Sequence, residues 1–287
     1  MKNKIMAMLV AFGLVGSASA LEINDYLDIN GFIDGSITKV DNGTAVDLND
    51  DSVADGDTAD WGLDEIEVNF LFNLGSVSGT IALDSQNIGS GDDDIEIEQA
   101  HFTYTLENGV SLTFGRYGSA LGLEREDPSG LYTFSRAYGN SGFNLGNIDA
   151  VGGAREGLNI SYAADKWSLG VSIDNPNGSV RTNNAKDALD FEVALSYSGI
   201  ENLGLGIGYR KSNETSGTAE VDITNITATY EVGKAKLGAE WTQADTSVNA
   251  SAATAGDLNA HTFLVDYDVS EKLGIAVRYS SYEASTT

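Results

Sequence analysis

The chain has 287 residues, with 43 Asp and Glu against 16 Lys and Arg, a formal net charge of −27, and no cysteine. That composition excludes disulfides and thiolate metal sites and makes nucleic acid a poor partner. Self-repulsion on this scale is easiest to bear in salt or beside bound divalent cations.

The first 20 residues read as a secretory signal. Lys2 and Lys4 give a basic start, Ile5 to Val15 an apolar core, and Ala18-Ser19-Ala20 a small-residue cleavage site. The mature chain is expected to run from Leu21, so residues 1–20 are the signal and 21–287 one barrel domain. The apolar core is too short for a membrane helix, and no later run is longer. Any membrane-spanning part must therefore be β-barrel.

Thirteen strand segments follow. They lie near Tyr26–Val40, Leu63–Leu74, Ser76–Gln86, Ile95–Leu106, Val110–Arg116, Arg155–Tyr162, Lys166–Asp174, Ala188–Tyr197, Leu203–Lys211, Glu220–Tyr230, Ala235–Ala244, Ala260–Tyr267 and Leu273–Tyr282. The clearest alternate strictly. Trp167, Leu169, Val171 and Ile173 share one phase; Ser168, Gly170, Ser172 and Asp174 share the other. Lipid outside and water inside require this dyad pattern, although one sheet of a soluble sandwich shows it too. Two segments lose phase, near Glu98–Gln99 and near Thr224–Asn225, and a bulge is expected in each.

The connections separate the two folds. Leu74–Ser76, Glu107–Gly109, Ala163–Asp165, Gly199–Asn202, Glu231–Lys234 and Asp268–Lys272 are short. Asp41–Gly62, Asn87–Asp94, Tyr117–Ala154, Asn175–Asp187, Ser212–Ala219 and Asp245–Asn259 are long, and the two classes alternate without exception. Short periplasmic turns and long outer loops are the rule for bacterial outer-membrane barrels. The fold class is therefore all-β, a transmembrane antiparallel up-and-down β-barrel. Thirteen visible strands is an odd number, so truncation at the C-terminus from fourteen or more is expected. Most of the Trp and Tyr residues, Trp167, Trp241, Tyr104, Tyr162, Tyr197, Tyr230 and Tyr267 among them, lie near strand ends, as interfacial girdles would.

The run IEQAHFTYTLENGVSLTFGRYGSALGLEREDPSGLYTFSRAYG and the later REGLNISYAADKWSLGVSIDNPNG carry a family resemblance. With the opening NGFIDGSI and the hairpin LDEIEVNFLFNLGSVSGTIALD, they resemble the β-barrel porin family of the OmpL-like type. The resemblance implies a diffusion porin and names no solute.

Strand phase places Asp28, Asp34, Glu65, Glu67, Asp84, Glu156, Asp174, Asp190, Glu192, Glu240 and Asp266 on the lumen side, with Arg210, Lys236 and Arg278 as the bases. An acidic lining favours cations in a narrow aqueous passage. The third long connection is expected to fold inward as a constriction, with Glu124, Arg125, Glu126, Asp127 and Arg136 as its charged residues. Asp47, Asn49, Asp51 and Asp55 match calcium-loop positions. Ser52 and Thr58 stand where that loop needs Gly and Glu, so a solvated acidic loop is preferred. His101 and His261 have no neighbouring nucleophile motif, so neither an enzyme nor a cofactor is expected. The expected partners are outer-membrane lipid and lipopolysaccharide, small hydrophilic solutes or cations, and further copies of the chain. The rivals are a plugged barrel serving as receptor or adhesin, and a soluble secreted β-sandwich binding protein.

Overall fold

A computed structural model describes residues 21–40, 58–88, 94–123, 154–175, 189–213, 220–247, 256–270 and 273–286. Their regular structure is all strand: β1 (Leu21–Asn24), β2 (Leu27–Val40), β3 (Thr58–Asn73), β4 (Val77–Ile88), β5 (Glu96–Thr105), β6 (Val110–Gly118), β7 (Ala154–Ala163), β8 (Trp167–Asp174), β9 (Asp190–Ile200), β10 (Leu203–Ser212), β11 (Glu220–Val232), β12 (Ala235–Ser247), β13 (Gly256–Ser270) and β14 (Leu273–Thr286). Hydrogen-bonded order is sequence order, which is an up-and-down sheet. The proposed signal peptide lies outside the described residues.

All thirteen expected segments are strands, and β1 is the addition. Four residues are too few to show an alternation. β1 instead pairs antiparallel with β2 through a tight turn, where Asn24 Oδ1 accepts a hydrogen bond from Tyr26 N at 2.9 Å. That turn extends the short–long rhythm by one step. The hairpin at Asn108-Gly109 carries positive φ only at Gly109, where φ is 84°. Gly109 N donates to Leu106 O at 2.9 Å, and Leu106 N to Val110 O at 2.8 Å. This is the three-residue loop that closes on a left-handed glycine.

By contact the chain divides into two units: Met1–Phe70 with Ala82–Ile97, and Leu71–Ile81 with Glu98–Thr287. In the first, Phe32, Glu65, Glu67, Ala82 and Asp84 are buried, while Ile33 and Val68 are exposed. The second carries a continuous antiparallel ladder from the paired part of β5 to β14. Its burial pattern is inverted relative to a soluble sheet. In β10, Leu205, Ile207 and Tyr209 are exposed, whereas Arg210 is 1% exposed. In β9, Phe191, Leu195 and Tyr197 are exposed over buried Asp190 and Glu192. A soluble sandwich buries its apolar phase; here the apolar phase is the uncovered one, as lipid contact demands. Rings stand at its margin beside the short turns: Tyr162 and Trp167 pack with centroids 5.4 Å apart.

One expected bulge is absent. The β10–β11 and β11–β12 ladders run in unbroken register through Tyr209↔Thr224, Gly208↔Asn225 and Ile223↔Ala244. Val221 and Ile223 therefore lie on the same face as Asn225, and both are buried. The loss of alternation is an apolar patch on the polar face, not a slip of the strand.

The phase assignment makes a stability prediction. Ile207→Arg, on the exposed apolar face, should cost about 2–4 kcal/mol in vesicle-inserted protein, whereas Arg at exposed Ser196 on the opposite phase should be nearly neutral. Urea titration of the two variants checks it; equal costs would contradict the assignment.

Candidate functional site

Within each unit, nearly all the residues that strand phase singles out lie on the polar phase of their own strand. Glu65, Glu67, Asp84, Asp174, Asp190, Glu192, Arg210 and Glu240 are each 5% exposed or less. Asp28 and Asp34 share the phase of buried Phe32; Asp266 and Lys236 are cross-strand partners, and Arg278 lies opposite buried Leu264. Glu156 is the exception. It shares the phase of exposed Leu158 and Ile160 and sits opposite Arg116 across β6 and β7. Arg155, one residue earlier, takes the polar face opposite Tyr117, and both are buried. Glu98 is a further buried acid that phase reasoning omitted because β5 loses its alternation there.

The acids are not equivalent. Arg210 donates to both oxygens of Asp174, Nη1 to Oδ2 at 3.1 Å and Nη2 to Oδ1 at 2.6 Å, and Nη2 also donates to Asp190 Oδ2 at 2.9 Å. Glu192 Oε2 lies 3.5 Å from Nη1. Ser212 Oγ and Asn213 N complete the shell of Asp190 at 2.6 and 2.7 Å. Adjacent strands β8, β9 and β10 deliver the four charges on two successive polar-phase rungs of the ladder, Asp174↔Asp190 and Glu192↔Arg210. A guanidinium fork suits this role, because it offers several donors in fixed geometry and an ammonium does not. These three acids thus tie neighbouring strands together and are withdrawn from water.

The start of the third long connection lies on this face. After Gly118 the chain turns over β9 to β12. Ser119 Oγ and Ala120 N donate to Glu192 at 2.7 and 2.8 Å, Gly122 N to Asn225 Oδ1 at 3.2 Å, and Leu123 N to Glu240 Oε2 at 3.3 Å. Asn225 Nδ2 in turn donates to Glu240 and to Thr242, both at 2.7 Å. Gly122 has φ of 100°, a conformation that a side chain would strain. Between the polar anchors, Leu121 is 1% exposed and clusters with Val221, Ile223, Ala244, Leu258 and Ala260. Burying such a leucine away from water stabilises by roughly 1.5–3 kcal/mol. The charged candidates Glu124, Arg125, Glu126, Asp127 and Arg136 lie outside the described residues, as do Asp47, Asn49, Asp51 and Asp55. Among the described residues no group of His, Asp or Glu is placed to hold a metal ion.

The family model described as "Putative beta-barrel porin-2, OmpL-like" matches residues 26–286. No curated protein matches the sequence. Three solved structures share the fold at 14% identity. The outer-membrane channel DcaP of Acinetobacter baumannii aligns over 93% of this chain and 82% of its own, with a TM-score of 0.62. The anion-selective porin from Comamonas acidovorans aligns over 90% and 79%, at 0.61. Salmonella typhi OmpF, in complex with daunomycin, aligns over 92% and 81%, at 0.59.

The buried cluster has a measurable consequence. Arg210→Met would leave three carboxylates without their cation, and breaking such a buried pair costs about 3–5 kcal/mol. The temperature at which the folded band is lost in gel electrophoresis should fall clearly. Arg210→Lys should restore only part of the loss, and an unchanged transition in Arg210→Met would contradict the role.

Proposed function

The chain belongs to the OmpL-like β-barrel porin family and is an integral outer-membrane protein, and on that premise we propose that it passes small hydrophilic solutes by diffusion and prefers cations. The observation that carries this reading is an acid-rich polar face set behind an exposed apolar one. No reaction is involved. Low-dielectric walls focus the field of the lining charges into the aqueous passage, raising cation concentration there and lowering that of anions.

The cluster of Arg210 with Asp174, Asp190 and Glu192 contributes a fixed background, since three carboxylates surround one guanidinium. Asp28, Asp34 and Asp266 are only partly buried and add to the negative lining; Lys236, facing Asp266, and Arg278 oppose them. The exposed apolar face would meet lipid, with lipopolysaccharide on the side of the long connections. The segment from Ser119 to Leu123, lying on the polar face, also fits a second reading, a plugged barrel that serves as a receptor.

Planar-bilayer recording separates them. The porin reading expects steady conductance and a reversal potential of cation sign under a KCl gradient, larger at low ionic strength, where screening is weak. The triple variant Asp28→Asn, Asp34→Asn, Asp266→Asn should reduce that potential while the barrel stays folded. A reversal potential at zero or of anion sign would refute the cation preference, and absence of conductance would favour the plugged barrel.

A further inference from the structure

We propose that Leu121 and Leu123 form a two-point latch, seated in recesses at Gly208 and Gly238, which fixes how far the inward segment stands off the barrel wall. The four positions thereby set the free cross-section of the passage. This rests on the porin reading and adds the residues that determine what size of solute passes.

The recesses exist because two wall residues have no side chain. A Cβ placed on Gly208 would overlap Leu121 Cδ2, and one on Gly238 would come within 2.8 Å of Leu123 Cδ2. Both glycines lie on the polar phase, Gly208 beside Arg210 in β10 and Gly238 beside Glu240 in β12. The other glycines of β10 do a different job: Gly204 and Gly206 face the hydroxyls of Thr229 and Thr227. Around the first recess the polar face turns apolar for a short distance, with Val221, Ile223, Ala244, Leu258 and Ala260 closing over Leu121. A water-lined wall has no need of such a patch unless something apolar rests there. The hydrogen bonds to Glu192, Asn225 and Glu240 come from the same five-residue stretch and aim the two leucines. They compete with water, so the apolar contacts are the part of the attachment that water strengthens.

The test uses the full chain. Leu121→Ala and Leu123→Ala should each shift single-channel conductance and raise open-channel noise, because the segment loses its seat, and Gly208→Ala, whose methyl holds the segment further off the wall, should lower conductance. The double variant Leu121→Ala, Gly208→Ala should be less affected than the sum of the single changes, since the new methyl occupies the space left by the leucine. Reversal potential should move less than conductance. If Gly208→Ala fails to fold, the two leucine variants carry the test. Wild-type conductance and noise in folded Leu121→Ala and Leu123→Ala would overturn the latch. An independent readout uses the absence of native cysteine. Ser119→Cys, at a buried position of the same stretch with Leu121 left in place, should react slowly with a polar maleimide, and faster once Gly208→Ala is added; equal rates would overturn the proposal. If the unaltered protein does not conduct, the porin reading fails and the labelling rates still decide the latch.

Discussion

Backbone polar groups in lipid have no water to turn to, and this one constraint organises the whole chain. Each strand must satisfy its N–H and C=O groups on its two neighbours, so membrane crossing by strands means a continuous ladder. The side chains then have only two directions left. One phase meets hydrocarbon and is apolar; the other meets water or protein and can be charged. The exposed Ile207, Leu195 and Phe263 and the buried Arg210, Glu192 and Glu240 follow directly from that division.

Inverting the usual burial pattern changes where stability and specificity come from. The apolar face gains little by contact between strands, because lipid is as apolar as leucine. The polar face can specify structure by charge pairing, and it does so where Asp174, Asp190, Glu192 and Arg210 meet across three strands. It can also use the hydrophobic effect, which operates only where water competes. The seat of Leu121 lies on that side. A buried leucine among wall residues is thus compatible with a wet passage, and it marks where the chain leaves the wall and stands over the polar face.

Much of this was legible in the sequence because two periodicities were strong. Dyad alternation located the strands, and the short–long rhythm of connections named the topology. β1 escaped because four residues carry no period. Val221 and Ile223 misled in an instructive way: apolar residues on the polar phase suggested a bulge, whereas they form the seat for Leu121. Glu156 and Arg155 are adjacent, and only the register with β6 and β8 decides which faces inward. An inward third connection was expected from its length; its described start, Ser119 to Leu123, lies on the polar face, but the anchors of that stretch were not legible. Gly208 and Gly238 were the available signal, since a glycine on a water-facing phase needs a reason; yet Gly204 and Gly206 sit on the same phase with other neighbours, so composition alone could not pick out the sockets.

The central claim is that one phase of each strand faces lipid and the other faces water or protein inside the barrel. Spin labels placed one at a time along Leu203–Ser212 in vesicle-inserted protein test it directly. Accessibility to oxygen should peak at Leu205, Ile207 and Tyr209 and fall at Gly206, Gly208 and Arg210, with a polar nickel chelate failing to reach the oxygen-accessible set. Oxygen accessibility without a two-residue period, or chelate access peaking at Leu205 and Ile207, would contradict the account.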